Sequence, residues 1–317
     1  MFARNRSGFV ALMLVFSALV MVPLFAGCGT STQAKSEQPL LAKDANGTTI
    51  TIPAKAPQRI VSLGATDSEI LGALGVGARV IGVDAYTNYP ADLAAKPKIS
   101  GADGYPNVEA IVALRPDLIL GYGGETAKQD AQLMQAGITV VDLPALDLEG
   151  SLKEMRLVGQ LVHAESAANA LVASLQKRID AIKAKVASAP KVSVYMEADD
   201  YTPGKPYVFG KGSFGDELIA DAGGVNVFGN DASNAGYPQV SDESIIAANP
   251  QVIVLTDDPK YGGDAHAVPE RPGWSAIAAV QSGKVYAIDP DLMQRAGPRI
   301  VDGLEQLAKL LHPELFS

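Results

Sequence analysis

Short runs rich in Val, Ile and Leu alternate with helix-forming segments along most of the sequence. The runs are four or five residues long, and the segments between them carry apolar residues at helical spacing. This alternation is typical of βαβ units, so it predicts an α/β fold with a largely parallel sheet flanked by helices. We expect strands at residues 59–63, 80–83, 117–120, 139–142, 191–195, 251–255 and 284–288, and helices at residues 66–74, 108–114 and 126–135.

The two halves of the chain repeat one pattern. Residues 109–119 (EAIVALRPDLI) and residues 243–253 (ESIIAANPQVI) share their acidic, apolar and proline positions, 134 residues apart. Each stretch predicts a short helix that ends before a proline and leads into a buried strand. The repeat therefore predicts two lobes of one architecture.

Two further segments have the spacing of a capping box, in which a hydroxyl side chain and an acidic side chain three residues later open a helix. They are Thr66 with Glu69 in the first half and Ser213 with Asp216 in the second half. We expect a helix to begin at each.

A segment without Gly or Pro, residues 165–187, lies between the halves. Its apolar residues have helical spacing, its last part is rich in Lys and Arg, and Pro190 follows it, as expected of one long helix. At 1.5 Å per residue such a helix spans about 35 Å. We predict α/β lobes at residues 41–160 and 190–317, joined by a connecting helix within residues 161–189 that permits only small hinge motion.

The amino terminus has the features of an export signal. Arg4 and Arg6 precede an unbroken apolar run at residues 9–25, and small residues follow it, so residues 1–27 are predicted to be a signal peptide. The alternative is an uncleaved membrane anchor, because the run approaches the length that spans a bilayer. Leu-Phe-Ala-Gly before Cys28 resembles the bacterial lipobox, which implies that Cys28 is lipidated and that residues 28–40 form a polar, lipid-anchored tether. Both alternatives place the body of the protein outside the cytoplasm.

Charge and composition exclude several classes of function. The formal net charge is −9 and no Lys/Arg cluster is present, so nucleic acid is not expected as a partner. The chain has one Cys and three His, and no clustered set of these residues with carboxylates, so a free-metal site is not expected either.

Five motifs follow one another along the chain, at residues 59–71, residues 107–118, residues 238–243, residues 273–286 and residues 295–300. Together they resemble the substrate-binding proteins of ABC importers for corrinoids, iron-siderophores and haem. The resemblance covers residues 41–317 and implies two α/β lobes on one helical backbone, with the ligand held between them. It also implies an ABC permease and its ATPase as partners, no resident cofactor, and a monomer.

In this family an acidic residue on each lobe docks onto arginines of the permease. The matching positions here are Glu109 and Glu243. The alternative is that each Glu only stabilises the first turn of its helix, where a negative charge is favourable.

Within the family, the cobalamin binders resemble this sequence most, through Tyr-x-x-Tyr-Pro at residues 86–90 and Tyr-Pro-Gln-Val-Ser at residues 237–241. Aromatic rings suit a corrin because they offer a large rigid face with a polar edge. We expect Tyr86, Tyr237, Arg295, Tyr105 and Trp274 to contact the ligand. For the tyrosines the alternative is that they cover strand ends, for Trp274 it is core packing, and Arg299 is expected to be a structural ion-pair partner.

Three alternatives to a corrinoid carrier remain open. A ferric siderophore or haem could occupy the same cleft, an exported enzyme could use the same scaffold, and a sensor could report the ligand to a membrane kinase. The enzyme is disfavoured because the sequence has no nucleophile elbow, zinc-protease or dinucleotide-binding motif.

Overall fold

Two parallel β-sheets of the same topology organise the chain, one before and one after a long helix. The structure is a computed structural model, and it describes residues 40–43, 49–100, 104–121, 126–143, 147–257 and 263–316. The predicted signal peptide, Cys28 and all but the last residue of the predicted tether lie outside these described residues. The strands are β1 (Leu41–Lys43), β2 (Thr49–Thr51), β3 (Ile60–Ser62), β4 (Val80–Val83), β5 (Leu118–Gly121), β6 (Val140–Asp142), β7 (Val192–Asp199), β8 (Tyr207–Val208), β9 (Gly224–Asn226), β10 (Val252–Leu255) and β11 (Val285–Ala287).

Helices connect the parallel strands within each sheet, as βαβ units require. Among the described residues the helices are α1 (Ala65–Ala73), α2 (Ala91–Ala94), α3 (Val108–Leu114), α4 (Ala127–Gln135), α5 (Leu148–Leu161), α6 (Glu165–Val186), α7 (Phe214–Asp221), α8 (Asp242–Ala248), α9 (Ala278–Gln281), α10 (Pro290–Met293) and α11 (Ile300–Leu311). Short 3₁₀ turns complete several of the loops.

The two sheets have equivalent strand orders. The first is β4-β3-β5-β6, with all neighbours parallel. In the second, β9, β7, β10 and β11 follow the same parallel order, and β8 adds an antiparallel partner to β7. Every predicted strand segment is present, so the α/β fold with parallel sheets is confirmed.

The repeated motif folds the same way in both halves. The helices α3 and α8 each have seven residues, and a side chain caps each one, Asn107 in the first half and Ser241 in the second. Each helix ends at a residue in the left-handed conformation, Arg115 (φ 50°) or Asn249 (φ 45°). A proline and a fully buried strand follow.

Helix α6 is the predicted connecting helix, and its 22 residues span about 33 Å. Its buried face is formed by Ala168, Val172, Leu175, Ile179, Ile182 and Val186. Helix α5 packs closely on the start of this face. An added Cβ on Gly159 would lie only 2.3 Å from the Cβ of Ala168.

A single apolar core extends through both halves. It includes one face of each sheet, with Ile60 and Leu118 from the first and Val194 and Val252 from the second, together with the buried face of α6. Two smaller clusters cover the opposite faces of the sheets. Strands buried on both faces explain the continuous apolar runs in the sequence. The predicted lobe boundaries at residues 160 and 190 stay predictions.

One of the two predicted capping boxes is wrong. Helix α1 begins at Ala65 after Gly64 and has no side-chain cap, and Glu69 lies in its buried part. Ser213, in contrast, accepts a hydrogen bond from the backbone N–H of Asp216, as predicted. Within the described residues, no helix is both long and apolar enough to cross a membrane.

Candidate functional site

An open cleft of about 530 Å³ lies where loops of the two lobes meet. Loops that follow β3, β4 and β5 supply one wall, and α10 with the two residues that follow it supplies the other. This is the carboxyl edge of the parallel strands, where open α/β sheets bind ligands. The described lining residues are Leu63, Gly64, Ala65, Thr66, Asp84, Tyr86, Ser100, Gly104, Tyr105, Pro106, Thr126, Pro290, Asp291, Gln294 and Arg295.

Two exposed tyrosines form an aromatic wall of the cleft. The side chain of Tyr86 is 70% exposed and that of Tyr105 is 40% exposed. A Cβ added to Gly104, whose φ is +83°, would lie 3.5 Å from the Tyr86 hydroxyl, so the two aromatic loops approach each other closely. Exposed aromatic rings in a concave site are typical of ligand contact.

A chain of buried hydroxyl groups holds the floor of the cleft beneath this wall. The hydroxyl of Ser68 lies 2.9 Å from that of Ser62 and 2.9 Å from that of Thr87. The Thr87 hydroxyl donates a hydrogen bond to the carboxylate of Asp84. The other oxygen of Asp84 accepts the backbone N–H of Tyr86 at 2.8 Å. Because both oxygens are held, the carboxylate of Asp84 fixes the start of the loop that carries Tyr86.

Five side chains, which we call the interlobe clamp, join the two walls: Glu69, Asn88, Asp291, Arg295 and Arg299. The buried carboxylate of Glu69 binds Arg299 in two places, at 2.5 Å and 3.0 Å, and Arg295 at 3.4 Å. Arg295 also pairs with Asp291 at 2.6 Å and donates to Asn88 at 2.8 Å. Asn88 in turn donates to Asp291 at 2.7 Å. The clamp therefore links α1 and the β4 loop to α10 and α11.

Gln294 fastens the second wall to the sheet behind it. Its amide nitrogen donates to the carbonyl of Thr256 at 2.6 Å and to that of Ala198 at 3.1 Å. These carbonyls lie at the carboxyl ends of β10 and β7, so one side chain joins both strands to the cleft.

An ion pair whose carboxylate is fully buried lies behind the same strand ends. The carboxylate of Glu197 accepts two hydrogen bonds from Arg271, at 2.7 Å and 2.8 Å, and one from the hydroxyl of Tyr195 at 2.5 Å. The guanidinium of Arg271 stacks on Trp274, 4.7 Å from the ring centre. Because Arg271 is both paired with a carboxylate and stacked on a ring, its contacts stabilise the fold.

Further carboxylates lie beside this pair and have raised pKa values. Burial, followed by the nearby charge of Glu197, raises the pKa of Asp257 to about 7 and that of Asp200 to about 6. In the first lobe, burial and the charges of Glu154, Asp84 and Asp142 raise the pKa of Asp67 well above its usual range. These carboxyl groups therefore hold their protons to higher pH than exposed carboxyl groups do.

The residues predicted to contact the ligand do not all lie in the cleft. Tyr86, Tyr105 and Arg295 line the cleft. Tyr237 is not among the residues that line it; its ring is 38% exposed and lies 5.5 Å from that of Phe209. Ligand contact by Tyr237 stays a prediction.

The expected ligand contact of Trp274 is corrected. Its ring is fully buried in the core of the second half and packs edge-on against Tyr195, at 5.7 Å between ring centres. A ring without exposed surface cannot touch a ligand in this structure, so the core-packing alternative holds. Arg299 is an ion-pair partner of Glu69, as predicted.

Sequence reasoning missed three groups that shape the site, Gln294, Asp291 and Glu69. Gln294 directly precedes Arg295 and Asp291 lies four residues before it, so the placement of Arg295 could have pointed to both. No local signal distinguished Glu69 as a partner for another lobe.

Glu109 and Glu243 lie in the first turns of the equivalent helices α3 and α8, and both are exposed. Hydrogen bonding to the Ser241 side chain lowers the pKa of Glu243. Because a helix that precedes a parallel strand runs antiparallel to it, both carboxylates lie towards the edge of the sheets that carries the cleft.

Histidine takes no part in the described lining of the cleft. Among the described residues, no group of His, Cys, Asp and Glu is arranged to hold a metal ion. His163 bonds the carbonyl of Pro53 at 2.8 Å, and His312 is buried.

The sequence of this chain is similar to those of known transport proteins. A family model described as periplasmic binding protein matches residues 60–292. An uncharacterized ABC transporter substrate-binding lipoprotein of Bacillus subtilis, YvrC, is 35% identical, and the alignment covers 99% of both chains.

Solved structures resemble this fold over most of its length. The periplasmic vitamin B12 binding protein BtuF of Vibrio cholerae is 26% identical with a TM-score of 0.68, covering 81% of this chain and 97% of that one. The periplasmic heme-binding protein RhuT from Roseiflexus sp. RS-1 is 27% identical with a TM-score of 0.72, covering 81% of this chain and 99% of that one. The chain therefore belongs to the periplasmic binding protein family and is a substrate-binding protein of the ABC-transporter type, not an enzyme.

Proposed function

We propose that the protein captures cobalamin or a related metal chelate in the interlobe cleft and delivers it to an ABC permease. The observation that carries this proposal is the cleft itself, an opening of about 530 Å³ with two exposed tyrosines on one wall and a fixed polar wall opposite. Ligand clefts usually measure about 300–1,000 Å³. The clamp fixes the two walls relative to each other before any ligand arrives, which limits the ordering cost of binding.

The polar groups of the cleft suit a ligand that carries amides. Gln294, Ser100 and the tyrosine hydroxyls offer both donors and acceptors. A corrin offers a broad face for the rings of Tyr86 and Tyr105 and a periphery of carboxamides for these groups. The similarity to the Vibrio cholerae vitamin B12 binding protein supports the same ligand class.

Haem or a ferric siderophore is the second candidate. Tyrosine is an established ligand of haem iron, and Tyr86 and Tyr105 both line the cleft. The similarity to the Roseiflexus heme-binding protein supports this candidate.

Glu109 and Glu243 are proposed as the contacts for arginines of the permease. Their support is the equivalent placement on α3 and α8, both exposed and both towards the edge that carries the cleft. A carboxylate on each lobe would fix the orientation of the protein on a two-fold permease, chiefly by speeding correct encounters.

Lipid anchoring is proposed at Cys28, after removal of residues 1–27. The lipobox-like sequence before Cys28 supports it, and membership of the periplasmic binding protein family supports a location outside the cytoplasm. The relative in Bacillus subtilis is named a lipoprotein.

Protein purified in detergent from its host should bind cyanocobalamin in a 1:1 complex, measured by absorbance after equilibrium dialysis. Tyr86→Ala and Tyr105→Ala should each weaken binding about tenfold, or about 1.4 kcal/mol, because each removes part of the aromatic wall. Met134→Ala removes an exposed apolar side chain outside the cleft and should leave affinity unchanged. A shifted Soret band with added haemin, without corrinoid binding, would instead establish the second candidate.

The double variant Glu109→Ala/Glu243→Ala should abolish transport of the chelate while leaving its affinity for the protein unchanged. Uptake into proteoliposomes that contain the permease and ATPase is the measurement, and the effect should grow weaker as salt screens the wild-type contact. Glu165→Ala is the matched control, because Glu165 also lies in the first turn of a helix. Equal losses in the control and the double variant would favour a purely helix-stabilising role.

Metabolic labelling with an alkyne fatty acid should mark the wild-type protein and not Cys28→Ser. The variant should also leave the membrane fraction, because no acyl chain holds it there. Labelling that persists in Cys28→Ser would reject this anchoring site.

A further inference from the structure

The single cation that lines the described part of the cleft already binds four groups. Both terminal nitrogens of Arg295 make two contacts each, which involve Asn88 (2.8 Å), Glu69 (3.4 Å), Asp291 (2.6 Å) and the carbonyl of Tyr86 (3.3 Å). Its side chain is only 15% exposed. An incoming carboxylate would therefore have to displace existing partners of Arg295 before it could bind the terminal nitrogens of the guanidinium.

The other charged groups of the described lining are carboxylates, Asp84 and Asp291. Asp84 accepts its hydrogen bonds from neutral groups, the Thr87 hydroxyl and the Tyr86 N–H. Lys98 is the cation near it, and the ammonium of Lys98 donates to the carbonyl of Thr87 and not to the carboxylate. Counting Asp84, Asp291 and Arg295, the lining carries one more negative charge than positive.

Acidic side chains also lie behind both walls, but they add little negative charge. Burial and the charges of Glu154, Asp84 and Asp142 raise the pKa of Asp67 well above its usual range, and the pKa of Asp257 is raised to about 7, so both groups favour the neutral acid. At the strand ends of the second lobe, Arg271 donates two hydrogen bonds to Glu197 and lies 3.8 Å from Asp200. Arg271 is therefore already committed to carboxylates of the protein itself.

We propose that this cleft selects neutral or positively charged chelates and rejects chelates of the same shape that carry a free carboxylate. This inference rests on the proposed function, because it names the charge class of ligand for the same cleft. An amide NH₂ can donate to Asp84 or Asp291 and can also form a hydrogen bond with Gln294. A carboxylate in its place finds the terminal nitrogens of Arg295 occupied and lies beside carboxylates of the same charge. Exclusion by uncompensated like charge is a common source of specificity.

Two matched pairs of ligands test the proposal on the full-length protein in detergent. The first pair is cyanocobalamin and its monocarboxylic derivative, in which one side-chain carboxamide is hydrolysed. The second pair is ferrioxamine B, a cationic iron chelate, and its derivative succinylated at the terminal amine, which carries a free carboxylate instead. Equilibrium dialysis should show the anionic member of each pair binding at least about tenfold more weakly. The difference should shrink at high salt, because ions screen the repulsion.

Two variants of the clamp should change the ratio of the two affinities within a pair in opposite directions. Asp291→Asn removes the strongest partner of Arg295 and should bring the two affinities of a pair closer together. Arg295→Gln removes the cation and should widen the gap. Asp302→Asn is the matched control, because it makes the same change in net charge at a residue that pairs with Arg178 on α6 and does not line the cleft. Melting temperatures identify any variant that fails to fold, and the remaining variant then decides.

Each outcome has a distinct meaning. Equal or tighter binding of the anionic members overturns the charge selection but leaves the proposed carrier function intact. A ratio that changes as much in Asp302→Asn as in Asp291→Asn also overturns it, because net charge and not the cleft would then be responsible. Failure of the protein to bind any of the four chelates rejects both the inference and the proposed function.

Discussion

The buried carboxylate of Glu69 is the contact on which the rest of the structure depends. It belongs to α1 in the first lobe, and both of its cationic partners, Arg295 and Arg299, come from the second. A charge removed from water is tolerated only when it is well paired, and removing one partner of a buried pair typically costs about 3–5 kcal/mol. Moving the lobes apart would separate Glu69 from both arginines and leave its buried charge unpaired. The clamp and the apolar core shared by the two halves therefore act together, and α6 fixes the distance that they must bridge.

A fixed frame explains how the proposed ligand site and the proposed permease contacts can work as one unit. The loop that carries Tyr86 is held by Asp84 from its own lobe and by Arg295 from the other, so the aromatic wall has its position before a ligand arrives. The helices α3 and α8 stand on the same frame, which gives Glu109 and Glu243 a defined separation. Small changes in lobe orientation on ligand binding would then alter that separation without any large domain closure.

The sequence predicted the fold well and the site only in part. Strands buried on both faces and the repeated helix-proline-strand pattern are local signals, so β5, β10 and their preceding helices could be placed closely. The capping box at Thr66 and Glu69 misled because its spacing is local, whereas the partners of Glu69 lie more than two hundred residues away. The predicted ligand contact of Trp274 was wrong for a related reason. The local sequence Pro-Gly-Trp does not distinguish a ring that faces a cleft from one that lies in the core and stacks on an arginine. Gln294 acts through carbonyls at the ends of two strands, a role that only the folded sheet reveals.

The most direct test of this account is the distance between the lobes, measured by electron spin resonance between labels on Ala113→Cys and Ala247→Cys in a Cys28→Ser background. These exposed positions are equivalent in α3 and α8. The account predicts a narrow distance distribution in the otherwise wild-type protein, a shift of at most a few ångström with a bound chelate, and a clearly broader distribution in Glu69→Gln. A broad distance distribution in the otherwise wild-type protein, or an equally narrow one in Glu69→Gln, would contradict the claim that Glu69 holds the two lobes together.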